Sequence, residues 1–281
     1  MKRQNKKRIK LNIILKNGVL LLLLLSLIGL LSGCQADDEG IIIVGSTSVQ
    51  PFVEILAEEY ETRNSEYAIF VQGGGSAAGI AAAENGTADI GMSSRYLKEN
   101  EEGLWSLIIA KDGLAIIINP KNPVIDLSLV QLRKIYSREF ESWSELGGPD
   151  VKIHVVTREE GSGTRSAFEG LVMAEEEITA KAIVQDSNGA VKQLIASDPY
   201  AIGFISLGLV DADVKAISIE GRLPTRENVT DGSYLLYRPF LFLAKEEPEG
   251  IAKDFIDFVL SPAGKDLLRQ EGLVVDLEKA E

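Results

Sequence analysis

Apolar residues in this chain alternate between two periods. "IIIVGS" (41–46) is a short β-branched run closed by glycine, which predicts a buried strand. In "TSVQPFVEILAEEYETRN" the period changes. Phe52, Val53, Ile55, Leu56 and Tyr60 form the stripe of an amphipathic helix, with Pro51 tolerated only near its start. "YAIFVQGG" predicts a second strand, "SAAGIAAAENG" a second helix stopped by Gly86, and "ADIGMSS" a third short strand. "GLAIIINPKNP" predicts a strong strand closed by two prolines. A further alternating set follows: "DLSLVQLRKIY", "VKIHVVT", "TRSAFEGLVM", "AIVQDS", "NGAVKQLIAS" and "AIGFIS". "YLLYRPFLFLAK" predicts another strand, and "EGIAKDFIDFVL" and "SPAGKDLLRQEG" two helices, the second capped by Ser261 with Pro262 behind it.

Strands alternating with helices imply βαβ units and an α/β fold. The order suggests two α/β lobes with a cleft between them. Lobe 1 would hold residues 41–117 plus 238–281, because the late strand and the last two helices return to it, and lobe 2 residues 118–237.

The N-terminus stands apart from this pattern. Seven Lys or Arg and no acid occupy residues 1–17, an apolar run "GVLLLLLLSLIGLL" follows, and "LSGC" ends it at Cys34. A basic segment, an apolar segment too short for a comfortable membrane span and small residues before a cut site predict a secretory signal over residues 1–33. Leu31-Ser32-Gly33-Cys34 resembles a bacterial lipobox, which implies lipidation of Cys34 and a short tether over 34–40. Removing the signal takes seven cations from 29 and leaves 22 against 42 acids, a net charge of −20. So acidic a chain is a poor partner for nucleic acid.

Three places share one pattern of apolar strand, Gly/Ser/Thr turn and helix start: "IIIVGSTSVQPF", "IFVQGGGSAAGI" and "IHVVTREEGSGTRSAF". Each leaves a helix N-terminus with unpaired N–H groups that favours negative charge, and in parallel sheets such turns lie where ligands bind. Ser48, Ser76 and Ser162 can donate to an anion there or cap their own helices. Arg158 can offer a forked charge to an oxyanion or pair with Glu159 or Glu160. "GGGSAAG" lacks the lysine of a nucleotide-binding loop.

Enzymatic readings fail on inventory. His154 is the only histidine, eight positions before Ser162 within an expected strand, where a packed role suits it better than that of a base. One histidine and one cysteine exclude a His/Cys metal site, and no loop has the acid spacing of a calcium site.

"GSTSVQPF", "GGGSAAGI" with "ADIGMSSR", "WSELGG", "REEGSGTRSAF", "NGAV" with "AIGFIS", and "SPAGKDLL" resemble the phosphate-binding proteins of Pst-type ABC importers over roughly residues 41–275. The resemblance implies a periplasmic-binding-protein type fold whose two lobes, joined by two hinge strands, close on the ion. By position it implies ligand contacts from Thr47 and Ser48, from Ser76, and from Arg158, Ser162, Gly163 and Thr164. Where the family often has an aspartate that accepts the proton of hydrogen phosphate, this chain has Ser94, followed by Arg95. Ser94 can accept or donate, and Arg95 either adds a second positive charge or pairs with a carboxylate of its lobe. The implied partners are inorganic phosphate, the permease subunits of the importer and, through Cys34, the outer face of the bacterial cell membrane. A monomer without cofactor is expected. The alternatives are a receptor for sulfate or molybdate, a surface hydrolase using Ser162, or an adhesive protein that binds no small anion.

Overall fold

A computed structural model of the chain describes residues 39–275. The expected signal, Cys34 and residues 34–38 of the tether lie outside the described residues, as do 276–281.

The first strands are β1 (Glu39–Gly45), β2 (Tyr67–Gly73) and β3 (Ile90–Ser93), separated by α1 (Gln50–Arg63) and α2 (Ser76–Asn85). β1 pairs in parallel with both neighbours, as βαβ connections require. Gly86 stops α2 with a left-handed φ of +67°. β1 is not buried on both faces: Ile41 and Ile43 point into the core, whereas Ile42 is 41% exposed beside Phe70 of β2, itself 55% exposed. The strand is therefore covered on one face only, and begins two residues earlier than its apolar run.

β4 (Trp105–Ile118) is longer than its apolar stretch and joins the two halves of the molecule. β5 (Asp126–Leu127) and α3 (Leu129–Ser137) follow, the helix opened by a Ser128–Gln131 capping box. Then come β6 (His154–Arg158), α4 (Gly163–Phe168), β7 (Ile183–Gln185), α5 (Asn188–Ser197) and β8 (Ala201–Ser206). α4 continues as a π-helical turn over Glu169–Met173. The short β9 (Lys215–Ala216) and β10 (Ser218–Ile219) and α6 (Arg226–Thr230) lead to β11 (Tyr237–Ala244), α7 (Gly250–Leu260) and α8 (Pro262–Gln270). Ser261 caps α8 by accepting from the Gly264 N–H, as expected.

The sheet runs β2-β1-β3-β11-β4-β8-β6-β7, with β9 also on β4. β11 is antiparallel to β3 and to the first half of β4, while the second half of β4 is antiparallel to β8. The chain thus departs from purely parallel pairing where the two halves meet.

The two largest hydrophobic cores among the described residues lie on either side of this junction, with two smaller clusters beside them. One gathers Ile43, Phe52, Leu56, Tyr60, Met92, Phe240, Phe242 and Phe255. The other gathers Ile116, Leu132, Tyr136, Trp143, Phe168, Phe204 and Tyr234, with Phe168 and Phe204 stacked 4.2 Å apart. Large apolar side chains of this kind contribute about 1.5–3 kcal/mol each on burial, so each half carries its own source of stability.

Candidate functional site

The turn after β1 is held against β3 and β2 by backbone bonds. Ser46 N–H donates to Met92 O at 3.0 Å, and Gly74 and Gly75 N–H donate to Gly45 O at 2.8 and 3.0 Å. Gly45 has φ +146°, and a Cβ there would press on the Met92 backbone, so only glycine lets this turn sit against β3. The consequence is that Ser46, Thr47 and Ser48 are presented beside Ser76, the first residue of α2, and Ser94, just past β3.

These hydroxyls form one cluster. Ser46 Oγ donates to Ser94 Oγ at 2.9 Å, Ser94 N–H donates to Ser76 Oγ at 3.0 Å, and the Ser76 and Ser94 hydroxyls lie 3.3 Å apart. Ser46, Ser48, Ser76 and Ser94 are all buried.

The loop after β6 meets this cluster from the other half. Ser48 and Thr164 hydroxyls lie 2.6 Å apart, and Ala77 N–H donates to Gly161 O at 3.1 Å. Gly163 packs directly on the Ser76 and Ser94 side chains. Ser162 is buried and caps α4, its Oγ accepting from the Arg165 N–H at 3.2 Å. The cap uses an acceptor site and leaves the hydroxyl proton available as a donor.

Arg158 ends β6 with its side chain 1% exposed. Nε and Nη2 each reach the Glu159 carboxylate at 3.0 Å, and Nη2 also donates to Thr47 Oγ1 at 3.0 Å. Gln185 and Asp186 carbonyls accept two further bonds. Nη1 is buried with no hydrogen-bond partner among the described residues. An unsatisfied guanidinium N–H is a costly thing to bury, and an oxyanion is a ligand that removes the cost. Of the sequence alternatives for Arg158, the pair with Glu159 is the one found, and the same guanidinium also reaches Thr47 of the cluster.

The structure brings together Thr47, Ser48, Ser76, Ser94, Arg158, Gly163 and Thr164, with Ser162 behind them. It does not bring Arg95. That guanidinium turns to Glu101 in a forked ion pair at 2.6 and 2.7 Å and donates to Tyr96 O. The pair holds the Glu101 carboxyl below its usual range, chiefly through the side-chain hydrogen bond from Arg95. Of the two sequence alternatives for Arg95, the lobe carboxylate is the one found. Arg95→Ala is accordingly expected to leave anion affinity within about threefold of wild type while lowering stability by about 1 kcal/mol. Titration calorimetry and thermal unfolding read the two effects separately. Because Glu101 is depressed in the folded chain, its contribution is present above its unfolded range and lost as pH falls through the folded value.

Three residues missed in the sequence complete the site. Asn188, the first residue of α5, donates to Ser48 Oγ at 2.7 Å and accepts from Ser206 N–H at 3.2 Å. Its signal was the "NGAV" motif, quoted without a role. Ser46 stood within "GSTS". Arg238 of β11 is buried against Asp112 of β4, Nη2 to Oδ2 at 2.9 Å, and its Nη1 lies 3.4 Å from Ser94 Oγ. Burial pushes the Asp112 carboxyl up, and the facing Arg238 draws it back. Ser206 Oγ–H and Leu207 N–H satisfy its second oxygen at 2.8 and 3.2 Å.

The hydrolytic alternative has no geometry here. His154 opens β6 while Arg158 ends it, roughly 13 Å away at strand rise. His154 is not packed as expected: its side chain is 40% exposed and Nδ1 lies 2.6 Å from Asp198 Oδ2. Arg165 points away from the cluster, donating to Glu169 and to the Arg158 carbonyl. Among the described residues no group of three or more His, Cys, Asp or Glu is placed to hold a metal, and no helix is long and apolar enough to cross a membrane.

Comparison with known proteins agrees with this geometry. A family model described as a PBP superfamily domain matches residues 32–263. The "Phosphate-binding protein PstS" of Bacillus subtilis is 36% identical over 234 residues, covering 82% of this chain and 78% of that protein. The crystal structure of a putative phosphate ABC transporter substrate-binding protein with bound phosphate, from Clostridium perfringens, is 43% identical with a TM-score of 0.83, covering 85% of this chain and 100% of that one. An ABC-type phosphate transport receptor from Vibrio cholerae is 42% identical with a TM-score of 0.71, covering 83% and 99%.

Proposed function

The chain belongs to the PBP superfamily, among the phosphate-binding proteins named PstS, and on that premise we propose that it captures inorganic phosphate outside the cytoplasm and hands it to the membrane permease of an ABC importer. It acts as a receptor and not as an enzyme. In this reading the receptor has two lobes, residues 41–117 with 238–281 and residues 118–237. A lipid on Cys34 keeps the receptor at the outer face of the membrane, where it works as a monomer.

The observation that carries the reading is the buried Arg158 Nη1 without a partner among the described residues, set beside hydroxyls drawn from both halves. Arg158 is neutralised by Glu159 and Arg238 by Asp112. The site therefore holds an anion by directed N–H and O–H donors rather than by excess charge. This is how so acidic a chain can bind one.

One observation favours a second ligand. Ser94 stands where a carboxylate would repel a fully ionised anion, so sulfate is not excluded by charge. Thermal unfolding of the full chain against a panel of phosphate, sulfate and molybdate tests the choice, since a bound ligand raises the transition by mass action. Phosphate is expected to give the largest rise. A larger rise with sulfate or molybdate would reassign the receptor.

A further inference from the structure

We infer that Asp112 and Arg238 are positioning residues for anion capture: their buried ion pair, set where β4 and β11 pass from one half to the other, ties the hydroxyls of the first half to those of the second, so that the two sides of the site are held in one arrangement. The inference rests on reading the chain as a two-lobed oxyanion receptor.

Asp112 and Arg238 are cross-strand partners, 1% and 2% exposed, at the place where β4 leaves β11 and begins to pair with β8, Leu114 opposite Ser206. Nε and Nη2 of Arg238 hold Asp112 Oδ2 at 3.1 and 2.9 Å. Each partner has something left over. Arg238 Nη1 donates to Ser94 Oγ at 3.4 Å, on the side of the first half. Asp112 Oδ1 accepts from Ser206 Oγ at 2.8 Å and from Leu207 N–H at 3.2 Å, on the side of the second. From these two ends the contacts run on until they meet. Ser206 N–H donates to Asn188 Oδ1 at 3.2 Å, and Asn188 Nδ2 donates to Ser48 Oγ at 2.7 Å. Ser48 N–H donates to Ser46 Oγ at 3.2 Å, and Ser46 Oγ donates to Ser94 Oγ at 2.9 Å. The result is a closed ring of buried polar residues that passes through the site, both halves and the crossing strands.

A buried ion pair is a weak source of stability, and apolar side chains of similar volume would pack such a crossing as well. What the charged pair adds here is direction. Its second carboxylate oxygen and its remaining guanidinium nitrogen point to opposite halves. A shift of either half therefore breaks a bond to a buried charge, which costs more than breaking one between neutral groups. The pair acts through Ser94 on one side and through Ser206 and Asn188 on the other. It sets where their oxygens stand, and the hydroxyls of the site remain able to donate to the anion or to accept from it.

The test is a double-mutant cycle on the full chain, read by titration calorimetry with inorganic phosphate and, as a second probe, sulfate. Ser206→Ala keeps the N–H bond to Asn188 and removes only the hydroxyl on Asp112, and it is expected to weaken phosphate by about fivefold. Ser94→Ala is expected to weaken it by about tenfold. The two together should cost about ten- to twentyfold rather than the roughly fiftyfold of independent sites, because both act through the one ion pair. In the paired variant Asp112→Leu with Arg238→Met, which replaces the pair by apolar side chains, the two serine changes should become independent. If that variant does not fold, the cycle in the wild-type background decides alone. A merely structural role for the pair would lower the unfolding temperature and leave the serine changes additive in affinity. Additive changes, or wild-type affinity in Ser206→Ala, overturn the inference and leave the receptor reading standing. If wild type binds sulfate and not phosphate, the phosphate reading fails, and the same cycle read with sulfate upholds the inference by coupling or overturns it by additivity. If neither anion binds, both fail.

Discussion

Replacing Arg158 by alanine is expected to lower phosphate affinity by about ten- to a hundredfold, and by more than replacing Ser162 does. Both residues are 1% exposed and they stand at the two ends of the same turn, Arg158 closing β6 and Ser162 capping α4, so the comparison isolates chemistry from burial. Ser162 contributes a neutral hydroxyl whose oxygen is already engaged in capping α4, and a neutral hydrogen bond is worth about 0.5–1.5 kcal/mol net. Arg158 contributes a charge-assisted bond from an N–H with no partner among the described residues, worth about 1.5–3 kcal/mol. It also holds Thr47 in place at 3.0 Å, so its loss loosens a second contact from the other half. The alanine variant further leaves Glu159 without its forked partner near the site, and that carboxylate then repels the anion. Titration calorimetry on the two variants decides the order; a larger loss from Ser162→Ala would show that the hydroxyl, not the guanidinium, anchors the ion.

What the sequence made legible was set by locality. The three strand–turn–helix units came out in order because each is one apolar run, one glycine or hydroxyl turn and one helix start, all within about a dozen residues. Ser48, Ser76 and Ser162 sit at those turns and were read from them, whereas Thr47 and Thr164 came only with the family resemblance. Arg238 was not, because nothing near it in sequence marks it. Its partner Asp112 is 126 positions away, and only the pairing of β4 with β11 places them together. The same pair hid the first half of β4. Lys111 and Asp112 break the apolar period, so the strand appeared to begin at Gly113, whereas Asp112 is buried because Arg238 neutralises it. Arg95 shows the converse. It adjoins Ser94 in sequence, but the strand ends at Ser93, and the guanidinium is captured by Glu101 six residues on. Adjacency in sequence carried no information about which way that side chain faces.

Gly163→Ala is expected to weaken phosphate by about five- to a hundredfold, the equivalent of roughly 1–3 kcal/mol of overpacking, without unfolding either half. Two effects oppose each other at this residue. Gly163 begins α4 with no positive φ, so alanine suits the local backbone and would by propensity stabilise the helix by up to about 1 kcal/mol. Against that, the added Cβ would lie 2.5 Å from Ser94 Oγ, closer still to Ser76 Oγ, and 3.0 Å from Ser76 Cβ. The hydroxyls could rotate aside, but Ser76 Oγ accepts the Ser94 N–H and Ser94 Oγ accepts from Ser46, so relief comes at the expense of the cluster itself. Ser76 Cβ cannot rotate away, and the remaining strain falls on the approach of the two halves. The clash therefore wins for binding, and the helix gain shows only in the ligand-free chain, whose unfolding temperature should hold or rise slightly. Gly189→Ala is the matched control. It too lies in the first turn of a helix at the site, beside Asn188, but its Cβ would meet nothing within 4 Å. Wild-type affinity in Gly163→Ala, or an equal loss in Gly189→Ala, would show that close packing of α4 on Ser76 and Ser94 is not what completes the anion site.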